Sequence, residues 1–182
     1  MSAHTDEPTD ERLIQSTLSG DEEAFAELVR RYKRRIFGIA GRFARNDHEL
    51  DDICQEIFVK AYQNLAKFRG DAPFEHWVSR IAVHSCYDFL RKTHRERANV
   101  SLDQVEIAVE DNVGAERANE LLQWAMNKLS ADERLVITLL ELEEKSVREV
   151  AGLTGWSESN VKVRAFRARQ ALKKVLETGH ER

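Results

Sequence analysis

The chain is poor in residues that break or cross-link a backbone. Its 182 residues include eight glycines, two prolines and two cysteines. Few breakers beside many Ala, Leu, Glu, Lys and Arg exclude a turn-rich all-β chain and favour helices throughout. Cys54 and Cys86 both fall in helical patterns and make no disulfide framework. They read as small buried hydrophobes in a reducing compartment. No apolar run approaches the roughly 20 residues needed to span a bilayer. The acidic N-terminus also lacks the apolar segment of a secretory leader. The expectation is a soluble, cytoplasmic protein.

Signatures of catalysis are missing as well. The six histidines, His4, His48, His76, His84, His94 and His180, include no i, i+4 pair of the kind that holds zinc on a helix. There is no Cys-x-x-Cys, no glycine-rich phosphate loop and no nucleophile elbow. The sequence therefore predicts no catalytic residue, no metal site and no cofactor, and a protein that is not an enzyme.

What the chain has in quantity is charge, at 33% of residues, unevenly placed around a net value of -4. The N-terminal tail carries Asp6, Glu7, Asp10 and Glu11 against Arg12. A middle stretch carries Asp103, Glu106, Glu110, Asp111 and Glu116. Near the C-terminus, Lys162, Arg164, Arg167, Arg169, Lys173 and Lys174 face Glu158 alone. The net value argues against nucleic-acid binding, but the segregation argues for it: an acidic middle precedes a basic final helix.

Apolar spacing divides the chain into helices. Asp21 is an expected N-cap, and Phe25, Leu28, Val29, Tyr32, Ile36, Ile39, Ala40 and Phe43 then follow a 3.6-residue period. Asn46-Asp47 offers a stop and a new cap before Leu50, Ile53, Cys54, Ile57, Phe58, Ala61, Tyr62 and Leu65. Lys67 to Pro73 reads as a loop, and a third stripe runs from Phe74 through Trp77, Val78, Ile81, Ala82 and Ser85 to Phe89 and Leu90. Beyond a weakly periodic segment, Leu121, Leu122, Ala125 and Leu129 resume the pattern. Ser130 and Glu133 then form a capping box ahead of Leu135, Val136, Leu139, Leu140 and Leu142.

The fold class this predicts is all-α: two small helical domains joined by an extended acidic linker. The expected boundaries are an acidic tail over 1–20, a first domain over 21–97, the linker over 98–116 and a second domain over 117–178. The second domain ends in a short helix from Val147 to Leu153, a turn at Thr154-Gly155-Trp156-Ser157, and a long helix from Glu158. Gly155 suits the tight turn, Ser157 the cap, and Ala151 a close helix crossing. This is the spacing of a helix-turn-helix, whose second helix enters the major groove of DNA by its N-terminal half. Ser157, Glu158, Asn160, Lys162 and Arg164 crowd that half, and Arg167, Arg169, Lys173 and Lys174 suit phosphates. In the first domain, aromatics alternate with cations from Phe68 to Arg97, a mixture able to hold unstacked single-stranded bases.

Three motifs, in order, resemble one family. Asp51-Asp52-Ile53-Cys54-Gln55-Glu56-Ile57-Phe58-Val59-Lys60-Ala61-Tyr62 is similar to region 2.2 of the extracytoplasmic-function sigma factors, a group of the sigma-70 family. Phe68-Arg69-Gly70-Asp71 through Leu90-Arg91-Lys92 resembles regions 2.3 and 2.4, and Val161 to Arg169 resembles the recognition helix of region 4.2. The resemblance implies a transcription initiation factor whose partners are core RNA polymerase, promoter DNA and an anti-sigma factor. It implies that Asp51, Asp52, Gln55 and Glu56 dock on the polymerase. Lys67, Phe68, Arg69, Gly70 and Asp71 would form the loop for a flipped -10 base, with Arg80, His84, Asp88 and Arg91 along the -10 face. Ser157, Glu158, Asn160, Lys162, Arg164, Arg167 and Arg169 would serve the -35 duplex. The acidic linker would follow the RNA exit path, a basic channel that suits its charge. The chain departs from the family where His84 stands for the usual Asn, Asn160 and Val163 for Thr or Ser, and Glu144 for Gly. These departures bear on promoter preference. Two other readings of the residues stand beside this one: a stand-alone helix-turn-helix regulator, and an adaptor that mimics a sigma factor.

Overall fold

The computed structural model describes residues 8–99 and 114–180, with side chains between 97 and 120 and from 179 onward left aside. The expected linker, 98–116, thus lies outside the described residues except where helices run into its two ends. Each described element is helical. The chain forms two compact units, Met1–Cys86 and Tyr87–Arg182.

In the first unit, α1 (Asp10–Leu18) and α2 (Glu22–Gly41) are antiparallel neighbours joined through Gly20, whose φ of 100° lets the chain reverse. Thr9 caps α1, and Asp21 caps α2 by accepting from the amides of Glu23 and Ala24. Residues 1–7 of the expected acidic tail lie outside the described residues, and from Asp10 on α1 is packed rather than a free tail. Leu13, Ile14 and Thr17 are buried, and Asp10 accepts hydrogen bonds from Tyr32 and from Arg31 of α2. The helix therefore belongs to the core from its first turn.

α3 (Asp47–Asn64) starts at the Asn46 cap, ends in a 3₁₀ turn at Leu65–Lys67, and buries Ile53, Cys54, Ile57 and Ala61. Tyr62, expected inward, is about half exposed, and its ring meets Phe25 edge-on at 4.9 Å. α4 (Phe74–Asn99) is one continuous helix, and the boundary between the two compact units falls within it. Its first half buries Phe74, Val78, Ala82, Val83 and Cys86. Each fully buried Leu, Ile, Val or Phe contributes about 1.5–3 kcal/mol, so this four-helix core holds without disulfides, and Cys54 and Cys86 are free and buried.

The second unit is built on the packing of α6 (Ala131–Ile137) against α8 (Glu158–His180). α8 buries Val161, Ala165 and Ala168, the two alanines small enough for close helix approach, and α6 buries Leu135, Val136 and Ile137. α5 (Gly114–Lys128) adds Ala125 and Met126, while Leu121, expected inward, is exposed. The Ser130–Glu133 capping box is present. After α6 the chain widens into a π turn, Thr138–Leu142, followed by Glu144 at φ 50°. That turn shifts the register, so the regular stripe expected through Leu142 stops at Leu139 and leaves Leu140 half-buried. Glu144 occupies the left-handed conformation that glycine adopts freely. α7 (Val147–Thr154) begins at a second capping box, Ser146–Glu149. Hydrogen bonding to Ser146 holds the Glu149 carboxyl below its ordinary range.

Candidate polymerase and promoter-DNA faces

Three surfaces carry the residues singled out from the sequence. The first is the outward side of α3. Ile53, Cys54, Ile57 and Ala61 turn inward, so helical periodicity turns Asp51, Asp52, Gln55 and Glu56 to solvent, and all four are exposed. Asp52 pairs with His48 at 3.1 Å and Glu56 with Lys60 at 2.6 Å, each one turn along the helix. Such exposed pairs contribute little to stability, so the carboxylates are available to a cationic partner. Val59 and Tyr62 continue the same face as exposed apolar residues.

The second surface is the loop after α3 and the outward stripe of α4. Lys67 ends the 3₁₀ turn and donates to Asn64 Oδ1 at 2.8 Å. Arg69, Gly70 and Asp71 are exposed, and Gly70 takes a φ of 76°, which glycine adopts without strain. Phe68 behaves differently. It is half-buried, and its ring lies 5.5 Å from both Phe74 and Trp77. That aromatic cluster anchors the loop, so Phe68 supports its neighbours more than it offers a free ring. Along α4, Arg80, His84, Asp88 and Arg91 are exposed at steps of four, four and three, with Arg91 over the Tyr87 ring at 5.6 Å.

The third surface is α7, the turn and α8. Gly155 has a φ of 77°, closes α7 through its amide to Ala151 O at 2.9 Å, and redirects the chain. Thr154 ties both sides of the turn, donating to Val150 O at 2.7 Å and accepting from the Trp156 amide at 3.3 Å. The Ser157 hydroxyl accepts from the Asn160 amide at 3.2 Å and starts α8. Because Val161, Ala165 and Ala168 pack inward, Ser157, Glu158, Asn160, Lys162, Val163, Phe166, Arg167 and Arg169 are exposed. Arg169 pairs with Glu141 of the π turn at 2.6 Å. Arg164 is the partly covered member of the set. Its guanidinium stacks on Trp156 at 4.2 Å, pairs with Asp132, and donates from Nε to Asn160 Oδ1 at 2.6 Å. Asp132 was not singled out from the sequence, because its partner lies 32 positions further along the chain. Among the described residues, no helix is long and apolar enough to cross a membrane.

Comparison with known proteins agrees with this layout. Residues 28–96 match Sigma-70 region 2, and residues 119–172 match Sigma-70, region 4. The RNA polymerase sigma-H factor of Pseudomonas aeruginosa is 32% identical over 92% of this chain and 94% of its own. The ECF RNA polymerase sigma-E factor of Escherichia coli is 31% identical over 90% of this chain and 92% of its own. Among solved structures, CnrH in complex with the cytosolic domain of CnrY is 28% identical with a TM-score of 0.58, covering 93% of this chain and 97% of that one. The fold is shared with RpoE of Bartonella quintana, solved with the anti-sigma factor NepR, at 23% identity and a TM-score of 0.59 over 84% of this chain and 96% of that one.

Proposed function

The chain belongs to the extracytoplasmic-function sigma factors of the sigma-70 family, which direct RNA polymerase to specific promoters, and from that premise we propose how its three faces divide the work. The outward face of α3, Asp51, Asp52, Gln55 and Glu56, docks on core polymerase. The loop from Lys67 to Asp71 and the α4 stripe of Arg80, His84, Asp88 and Arg91 capture melted -10 bases. The N-terminal half of α8 reads the -35 duplex, with Asn160 and Arg167 toward base edges and Lys162 and Arg169 toward phosphates. These faces divide the chain as a first domain over 21–97 with α1 packed onto it, a linker over 98–116 that follows the RNA exit path, and a second domain over 117–178. Melting costs a few kcal/mol per unstacked step, which polymerase contacts offset. The polymerase supplies all catalysis, and the protein works in the cytoplasm.

The observation that carries this division is the exposed acidic face of α3 in the same chain as a basic helix-turn-helix. A stand-alone DNA regulator has no use for the first, and an adaptor has none for the second. We also propose an anti-sigma partner. CnrH, a relative matched over nearly the whole chain, was captured with the cytosolic domain of another protein, and exposed Val59, Tyr62, Val163 and Phe166 offer apolar surface to such a clamp.

Charge reversal tests the docking face. The double variant Asp52→Lys, Glu56→Lys should bind core polymerase at least about tenfold more weakly, because like charges placed across an interface cost several kcal/mol. Unchanged core affinity in a folded variant would remove α3 from the polymerase interface.

A further inference from the structure

We propose that Arg164 is a positioning residue of the -35 face: it holds the Asn160 carboxamide with its oxygen toward Arg164, so that Asn160 meets the DNA chiefly as a hydrogen-bond donor. This rests on the reading of α8 as the -35 helix. Arg164 is committed on three sides. Its plane lies on Trp156 at 4.2 Å, Nη1 is paired with Asp132, and Nε donates to Asn160 Oδ1 at 2.6 Å. The side chain is 29% exposed, against a fully open position for a base reader at the helix surface. A guanidinium only donates, so the carboxamide must meet it with oxygen. The amide nitrogen is then the free end, and Asn160 itself is exposed at the cleft that Ser159, Val163 and Arg167 also line.

The consequence is a change in what Asn160 can recognise. An unrestrained asparagine pairs bidentately with adenine, its oxygen accepting from N6 and its nitrogen donating to N7. The charge-assisted bond occupies one of the two lone pairs of that oxygen and fixes the plane of the carboxamide, which disfavours the adenine pairing. The free amide edge fits an acceptor-rich edge instead: guanine N7 and O6, or thymine O4. Asp132 and Trp156 matter because they fix the guanidinium from the sides that Asn160 does not touch, leaving Nε aimed along the helix at Asn160.

The test is transcription by reconstituted holoenzyme from a promoter library randomised in the -35 element, using the full-length chain and four variants: Arg164→Ala, Arg164→Lys, Asn160→Ala, and Arg164→Ala combined with Asn160→Ala. Base preference is a ratio within each protein, so a smaller folded fraction does not alter it. For the unsubstituted protein we expect one -35 position that prefers guanine or thymine and loses that preference in Asn160→Ala. Arg164→Ala and Arg164→Lys should both shift that position toward adenine by about fivefold or more, the lower end of what one good base pair contact discriminates. The shift should vanish in the double variant. A uniform drop in output with base preference intact would overturn the proposal, as would a shift that persists without Asn160, since Arg164 would then read a base itself. If the unsubstituted protein shows no -35 preference at any position, the reading of α8 fails and this inference falls with it.

Discussion

Two residues of the second unit sit at left-handed backbone angles, and replacing them should move stability in opposite directions. Gly155 has a φ of 77° and Glu144 a φ of 50°. A side chain in this region costs roughly 1–2 kcal/mol. A Cβ added at Gly155 meets nothing within 4 Å, so Gly155→Ala carries no steric charge beyond that strain. Alanine also narrows the unfolded ensemble, which returns about 0.4–1 kcal/mol. The net expectation is a loss of about 1 kcal/mol, or roughly 4–8 °C in the Tm of a domain of 60–100 residues. Glu144→Gly runs the same arithmetic backwards and should gain about 0.5–1 kcal/mol. Gly155→Asn should fall between Gly155→Ala and the unsubstituted chain, because asparagine tolerates this conformation better. Urea titration of the full chain measures all three. Trp124 and Trp156 report the second unit once Trp77→Phe silences the first. The turn also sets where α8 begins, so Gly155→Ala should lose -35-dependent transcription at a lower temperature than the parent. Neutral Gly155→Ala, or a destabilising Glu144→Gly, would refute the reasoning from backbone strain.

Other perturbations test other parts of the structure. Leu13→Ala should destabilise the first unit by about 2–3 kcal/mol, the lower part of the range for buried leucine, because Leu13 is 6% exposed on a helix docked against α2; a change under about 0.5 kcal/mol, typical of surface sites, would return α1 to the status of a tail. Burial pushes the Cys54 thiol up to about 11 from 9.0. A thiol whose folded value is raised stabilises fully below its unfolded value, and that share is lost as pH rises through the folded value. Stability should therefore decline between about pH 9 and 11, with a shallower decline in Cys54→Ala; equal slopes in the two proteins would contradict it. Lys162→Ala should weaken -35 binding evenly across sequences and reduce the salt dependence by about one phosphate contact; a changed base preference would mark Lys162 as a reader instead.

Features set by adjacent residues were legible in the sequence, and features set by distant pairing were not. The caps at Asp21, Asn46, Ser130 and Ser157 stand where their side chains predict, because a cap is settled within four residues. The Ser146–Glu149 box carried the same Ser-x-x-Glu signal and could have been read. The helical stripes gave the inward and outward faces of α3 and α8, and with them the exposed state of Asp51, Asp52, Gln55, Glu56 and Asn160. The packing of α1 escaped because acidic residues surround a short apolar set, Leu13, Ile14 and Thr17, whose burial depends on α2. The π turn escaped because its bonds join residues five apart, a choice that periodicity does not encode. Arg164 looked like one basic residue among several; what separates it is Asp132, brought from another helix by the fold. Phe68 is a similar case, because the Phe74 and Trp77 rings that enclose it lie on α4 and reach it only through the fold.

The most direct test of the whole account is run-off transcription with bacterial core polymerase, with and without this protein, on a pooled library of promoters. Discrete new transcripts that share a -35 and a -10 element, and that disappear with Asp52→Lys, Glu56→Lys, are the predicted result. Binding to core without any promoter-specific transcript would contradict the promoter-reading roles given to α4 and α8, and absence of binding to core would contradict the role given to α3.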